Sequence, residues 1–174
     1  MFTYFQKRRE IKAQAKGLYE GAVAQARLPI FYENYGVPDN VDGRFEMIAL
    51  HCFVLMHRLQ AAGEERLSQA LFDVFFVRMD RSLREMGVGD LAVPKHMKRM
   101  MNGFNGRADN YESALLAGDK SQLKEALVRN VYGTVDRVLD HVVEKLADYV
   151  MESAKMKTNE AAFAPIKDEE KKSA

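Results

Sequence analysis

The sequence predicts an all-α fold, a single compact helical domain of about five to seven helices. Three observations predict it. Apolar residues recur at helical spacing through almost the whole chain, and no stretch keeps a clean two-residue alternation. Pro29, Gly36, Pro38, Gly87 and Pro94 stand at the joins between periodic segments. At 174 residues the chain has the size of one domain. Its periodic part, residues 1–156, is read as that domain, and the polar, charged stretch 157–174 as a flexible tail.

The first helix is predicted from about Gln6 to Arg27, with Ile11, Ala15, Leu18, Ala22 and Ala26 on one face. Pro29 suits the first turn of a short element that ends before Gly36 and Pro38. The second long helix, Gly43 to Ala62, is capped by Asp39 or Asp42. Phe45, Ile48, Ala49, Cys52, Leu55, Met56 and Leu59 occupy an arc of roughly 120° on it. Met47, Leu50, Phe53 and Val54 make much of the remainder apolar, so this helix is the expected centre of the core.

The third helix, Glu64 to Met86, carries Leu67, Leu71, Val74, Phe75, Met79 and Leu83 inward and a narrow strip of Gln69, Asp73, Asp80 and Arg84 outward. Arg78 falls inside its apolar arc, where its stem must snorkel or its head meet a buried carboxylate. Gly87 is placed to end this helix in the left-handed region, with Val88 touching Leu83 across the last turn. Pro94 opens a fourth helix with Met97, Met100, Met101 and Phe104 inward, which Gly103 and Asn105-Gly106 should bend or break. Asp119 and Gln122 form a capping-box-like start for one long last helix that continues to about Met151.

Charge and composition exclude several classes. With 26 basic and 25 acidic residues the net charge is +1, so no bulk field favours nucleic acid, and no direct nucleic-acid recognition is expected. The single cysteine, Cys52, cannot form an internal disulfide, which fits a reducing compartment. No apolar run reaches the ~20 residues of a membrane span, and the N-terminus lacks the apolar core of a signal peptide. The expected location is cytoplasmic, with peripheral contact on the inner face of the cytoplasmic membrane. Phe2, Tyr4 and Phe5, followed by Lys7, Arg8 and Arg9, offer that contact; the expectation preferred here is that these aromatics tuck onto the domain.

No reaction chemistry emerges. His51 and His57 lie on different helix faces and no metal-ligand spacing accompanies them, so an interior hydrogen-bonded histidine is the better reading. Asp39-Asn40-Val41-Asp42-Gly43 fails as a calcium loop because Val41 and Leu50 stand at ligand positions. Gly87-Val88-Gly89 lacks the third glycine and preceding strand of a dinucleotide site. No catalytic residue, metal or cofactor is expected.

Three blocks in order resemble the ubiquinol–cytochrome c chaperone family, assembly factors of respiratory complex III. They are Gly36-Val-Pro-Asp-Asn-Val-Asp-Gly-Arg-Phe-Glu-Met-Ile-Ala-Leu-His51, Leu71-Phe-Asp through Asp80-Arg-Ser-Leu-Arg-Glu-Met-Gly-Val-Gly-Asp-Leu91, and Phe104-Asn-Gly-Arg-Ala-Asp-Asn-Tyr111. The resemblance spans Tyr19 to Leu146 and implies an all-helical chaperone of newly made cytochrome b. Mitochondrial members act with a small partner protein and contact the ribosome, and those are the further partners it implies. Their long N-terminal extension is not expected here, and the chain resembles the bacterial form.

Under that resemblance Met97, Met100, Met101 and Phe104 are the candidate apolar groove for the client, methionine being adaptable to several apolar helices. Asp80, Arg84, Glu85, Asp90, Arg107 and Tyr111 are the candidate partner-binding residues, and Arg84→Ala or Arg107→Ala is expected to weaken client capture with the fold intact. The competing class is a helical membrane-docking or lipid- or quinone-binding module that holds no client.

Overall fold

The computed structural model describes residues 1–85, 87–157 and 160–167, with Phe2 by its backbone alone. Among them are seven helices and no strand: α1 Phe2–Ala26, α2 Pro29–Glu33, α3 Val41–Ala61, α4 Glu65–Glu85, α5 Val93–Ala117, α6 Lys120–Asn130 and α7 Asp140–Ala154. The apolar character of α3 on nearly every side places it at the centre, against α1, α4, α5 and α7. Helices α1, α3 and α4 pack mutually around Leu18, Leu50, Leu55, Leu71 and Phe75, while α6 bridges α5 and α7. Lys124 on α6 pairs with Glu144 on α7 at 2.8 Å, and Lys120 with Asp148 at 2.8 Å.

Helix ends follow local chemistry. The Val88 amide donates to the Leu83 carbonyl at 3.1 Å and Gly87 to Arg84 at 3.0 Å, with Gly87 at φ +84°, the exit expected from the sequence. The cap of α3 differs: Asn40, rather than Asp39 or Asp42, accepts from the Gly43 amide at 2.8 Å. Asp39 is instead engaged by Arg44 at 2.7 Å. Glycine is required at position 43 because a Cβ there would run into the Pro38 carbonyl. Asp119 caps α6 by accepting from the Gln122 amide at 3.0 Å, but the Gln122 side chain donates to Ser113 Oγ rather than turning back to complete the box.

Three expectations are corrected. Helix α5 continues through Gly103 and Gly106, because packing of Phe104, Tyr111 and Ala114 outweighs the roughly 1 kcal/mol that each glycine costs. Gly103 also leaves the space that Arg107 uses, since a Cβ there would stand 2.7 Å from Nη1. The single last helix is two, α6 and α7. Between them Val131 and Tyr132 are both buried, and the Tyr132 hydroxyl donates to the Tyr35 carbonyl at 2.7 Å. Gly133 packs against the Arg129 carbonyl, where a Cβ would lie at 2.5 Å, and the β-branched Val135 and Val138 add little helical drive.

The third concerns the C-terminal segment. Residues 160–167, assigned to the tail by composition, lie packed on the domain: Ala164 is buried, and Ala161, Phe163 and Ile166 pack against the core. Thr158, Asn159 and residues 168–174 of that tail lie outside the described residues.

Candidate functional site

Polar side chains of α3 meet two different environments. Toward α7 and the C-terminal segment, His51 is 1% exposed; its Nδ1–H donates to the Met47 carbonyl at 2.7 Å and Nε2 accepts from the Tyr149 hydroxyl at 2.9 Å. Burial drives its pKa down to about 4, against the smaller opposing effect of the Met47 hydrogen bond, which keeps the ring neutral. Two turns on, Arg58 donates through Nη1 to the Ala162 carbonyl at 2.6 Å and through Nη2 to the Glu160 carbonyl at 2.6 Å. Its guanidinium stands 5.9 Å from the Phe163 ring centre. Ser153 Oγ accepts from the Ala164 amide at 2.9 Å. These groups fasten residues 160–167 to the core.

Toward α5 the environment opens. Helices α3 and α5 run side by side in the same sense: Glu46 meets Arg107, Phe53 meets Tyr111, and His57 meets Glu112. Past Phe53 a cleft of about 630 Å³ separates α3, α4 and α5. Helix α3 lines it with Phe53, Met56, His57 and Gln60, α4 with Glu65, Ser68, Gln69 and Phe72, and α5 with Phe104, Asn105, Ala108, Asp109 and Glu112. Phe72, Phe75, Phe76 and Phe104 cluster beneath it with ring centres 4.5 to 6.0 Å apart. His57 Nδ1–H donates to Glu112 at 2.6 Å across the cleft wall.

The residues singled out from sequence fall in three places. Asp80, Arg84, Glu85 and Asp90 gather at the α4 exit: Arg84 reaches Asp80 at 2.9 Å and Asp90 at 2.5 Å, and Arg81 reaches Glu85 at 3.0 Å. All are exposed or half-exposed, and Leu91 beside them is wholly exposed. Asp80, Arg84 and Glu85 lie about 12 to 20 Å along α4 from Phe72 and Asp90 lies beyond its end, and none of the four lines the cleft. Arg107 instead joins the α3–α5 seam, where Nη2 donates to the buried Glu46 at 2.5 Å. Burial pushes the Glu46 carboxyl up, with Arg107 opposing, so Arg107 faces a buried carboxylate inside the fold rather than an open partner surface. Tyr111, 2% exposed, accepts a hydrogen bond from Asn130 at 3.3 Å and is an interior residue.

Of the methionine groove, Phe104 is buried under the cleft, Met97 and Met100 are partly buried against the core, and Met101 is exposed. Phe104 is thus the one member of the expected groove that lines the cleft, and none of the three methionines does. Arg78 snorkels: its head is 38% exposed, 4.0 Å from Glu20. Sequence reasoning missed Arg58, His57–Glu112 and the cleft itself. Arg58 had a signal, since it sits in a helix apolar on nearly every side.

Tyr4 and Phe5 do not tuck onto the domain. They are 64% and 55% exposed and touch each other, while the Phe2 side chain lies outside the described residues. No helix among the described residues is long and apolar enough to cross a membrane. No group of three or more His, Cys, Asp or Glu among them could hold a metal ion. The Cys52 thiol is fully buried and burial pushes its pKa far up, leaving it unreactive.

Comparison with known proteins adds the context. The family model described as ubiquinol-cytochrome C chaperone matches residues 33–160. The crystal structure of the Cbp3 homolog from Brucella abortus is similar, with 37% identity and a TM-score of 0.73. That match covers 88% of this chain and 85% of the Brucella chain. No curated protein matches. The matched region includes α3 to α7, and with them every residue of the cleft.

Proposed function

This chain belongs to the ubiquinol–cytochrome c chaperone family, and we propose that it binds newly made cytochrome b and holds it during assembly of the ubiquinol–cytochrome c reductase complex. The family is one of chaperones implicated in complex III assembly, not of enzymes. The observation that carries the reading is the family match across residues 33–160, joined to a fold shared over 88% of the chain. The cleft between α3, α4 and α5 supports it physically: it is open to solvent, apolar at its floor and polar at its rim. An emerging membrane protein presents apolar helices with polar flanks, and such a surface can engage both parts. Met101 and the α4 exit around Arg84, Asp90 and Leu91 are the proposed outlying contacts. Crosslinking in the native cells, affinity capture and mass spectrometry test the reading. Enrichment of cytochrome b is expected; its absence, with cytochrome b expressed and detectable, would remove it.

A second reading, contact with an anionic membrane surface, rests on the exposed Tyr4 and Phe5 beside Lys7, Arg8 and Arg9. The two are compatible, since a client that inserts into the membrane is met there. Flotation with phosphatidylglycerol vesicles is expected for the wild-type chain and reduced for a Tyr4→Ala/Phe5→Ala variant. Equal flotation of both would discard the contact.

A further inference from the structure

We infer that the α3–α4–α5 cleft recognises a cationic stretch of polypeptide, the Lys/Arg-bearing flank of an unassembled membrane helix. The inference rests on the chaperone reading and names the part of the client that this site takes. Its basis is charge segregation. The chain as a whole balances 26 basic against 25 acidic residues, yet the cleft lining holds Glu65, Asp109 and Glu112 with no lysine or arginine. Glu112 is engaged by His57, while Glu65 and Asp109 have no ion-pair partner among the described residues. Uncompensated carboxylates around one opening create a local negative field that a cation can satisfy.

The floor completes the match. Phe53, Met56, Phe72 and Phe104 lie below the carboxylates, so the aliphatic stem of a lysine or arginine can cover apolar surface while its head reaches the rim. Phe72 is partly exposed and offers a ring to a guanidinium. Membrane proteins carry an excess of Lys and Arg within about 15–20 residues of their spans on the cytoplasmic side. A chaperone working from that side therefore meets apolar segments bordered by cations. An acidic rim over an aromatic floor fits that border; it does not fit a bare apolar helix or an acidic loop.

The test uses the full chain and a short fluorescein-labelled peptide in which a Lys-Arg pair adjoins a Leu-Phe pair, with a twin carrying two glutamates instead. Fluorescence anisotropy is expected to show the basic peptide binding about tenfold or more tightly than its twin, with affinity falling as salt rises. Asp109→Asn/Glu112→Gln should weaken the basic peptide about tenfold at an unchanged melting temperature. Asp109→Lys, at an exposed and unpaired position, should do so alone. Equal binding of the two peptides, or undiminished binding by both variants, would overturn the inference. Capture from cells separates it from the chaperone reading. Cytochrome b retained equally by wild type and Asp109→Lys defeats the cleft assignment and leaves the chaperone standing. Peptide selectivity without cytochrome b capture sustains the cleft chemistry and defeats the client.

Discussion

On the α7 side of helix α3, His51 and Arg58 are about as buried as the leucines around them, and their hydrogen bonds end on Met47, Tyr149, Glu160 and Ala162. On the α5 side, His57, Glu112 and Asp109 border water, and among the described residues His57 and Glu112 are joined while Asp109 has no ion-pair partner. Both sets are polar residues of an otherwise apolar interface, but their energetic consequences differ. A polar group that has given up water must be matched inside the protein, so its loss appears as lost stability. One still in water adds little to folding and remains available to a partner.

The largest expected effect is at Arg58. Arg58→Met keeps the stem and strips the Ala162 and Glu160 carbonyls of their donors, costing about 3 kcal/mol. Thermal unfolding should shift down by roughly 6–12 °C, and limited trypsin digestion should release the C-terminal segment. An unmoved transition would show that segment to be held by Ser153 and its apolar contacts without help from Arg58.

The next effect is a pH dependence. The His51 pKa is lowered to about 4 in the folded chain against 6.5 when unfolded, so the unfolded state binds the extra proton first as pH falls. Stability from this group is therefore full above pH 6.5 and is lost as pH drops toward 4, by about 2 kcal/mol between pH 7 and 5. His51→Leu should remove that part of the slope, whatever it does to the melting temperature at pH 7. An identical slope in both proteins would contradict a buried neutral histidine.

Of similar size, Arg107→Ala should cost about 2 kcal/mol by leaving the Glu46 carboxylate buried without its partner. Glu46→Gln should cost under about 1 kcal/mol, because Arg107 reaches solvent and Glu46 does not. Chemical denaturation of the two variants checks the asymmetry. Arg84→Ala, at the exposed α4 exit, should leave the unfolding transition where it is.

What could be read from the sequence was local. The Gly87 exit, the Asp119 cap and the central, all-round apolar α3 each depend on residues within one or two turns. The continuity of α5 and the break between α6 and α7 depend on what Phe104, Tyr111 and Tyr132 touch elsewhere, so propensity misjudged both. The cleft was illegible for the same reason: His57 and Glu112 are 55 positions apart, and nothing local in either marks the other. The run Ala161-Ala-Phe-Ala-Pro-Ile166 did carry a sign of docking, a short apolar stretch inside a charged tail, which composition averaged away.

The most direct test measures stability and client capture side by side for Arg58→Met and Asp109→Asn/Glu112→Gln. The account predicts a lowered melting temperature for Arg58→Met. For the cleft variant it predicts an unchanged melting temperature with about tenfold less cytochrome b captured. Full capture by a correctly folded cleft variant would contradict the division of labour across α3.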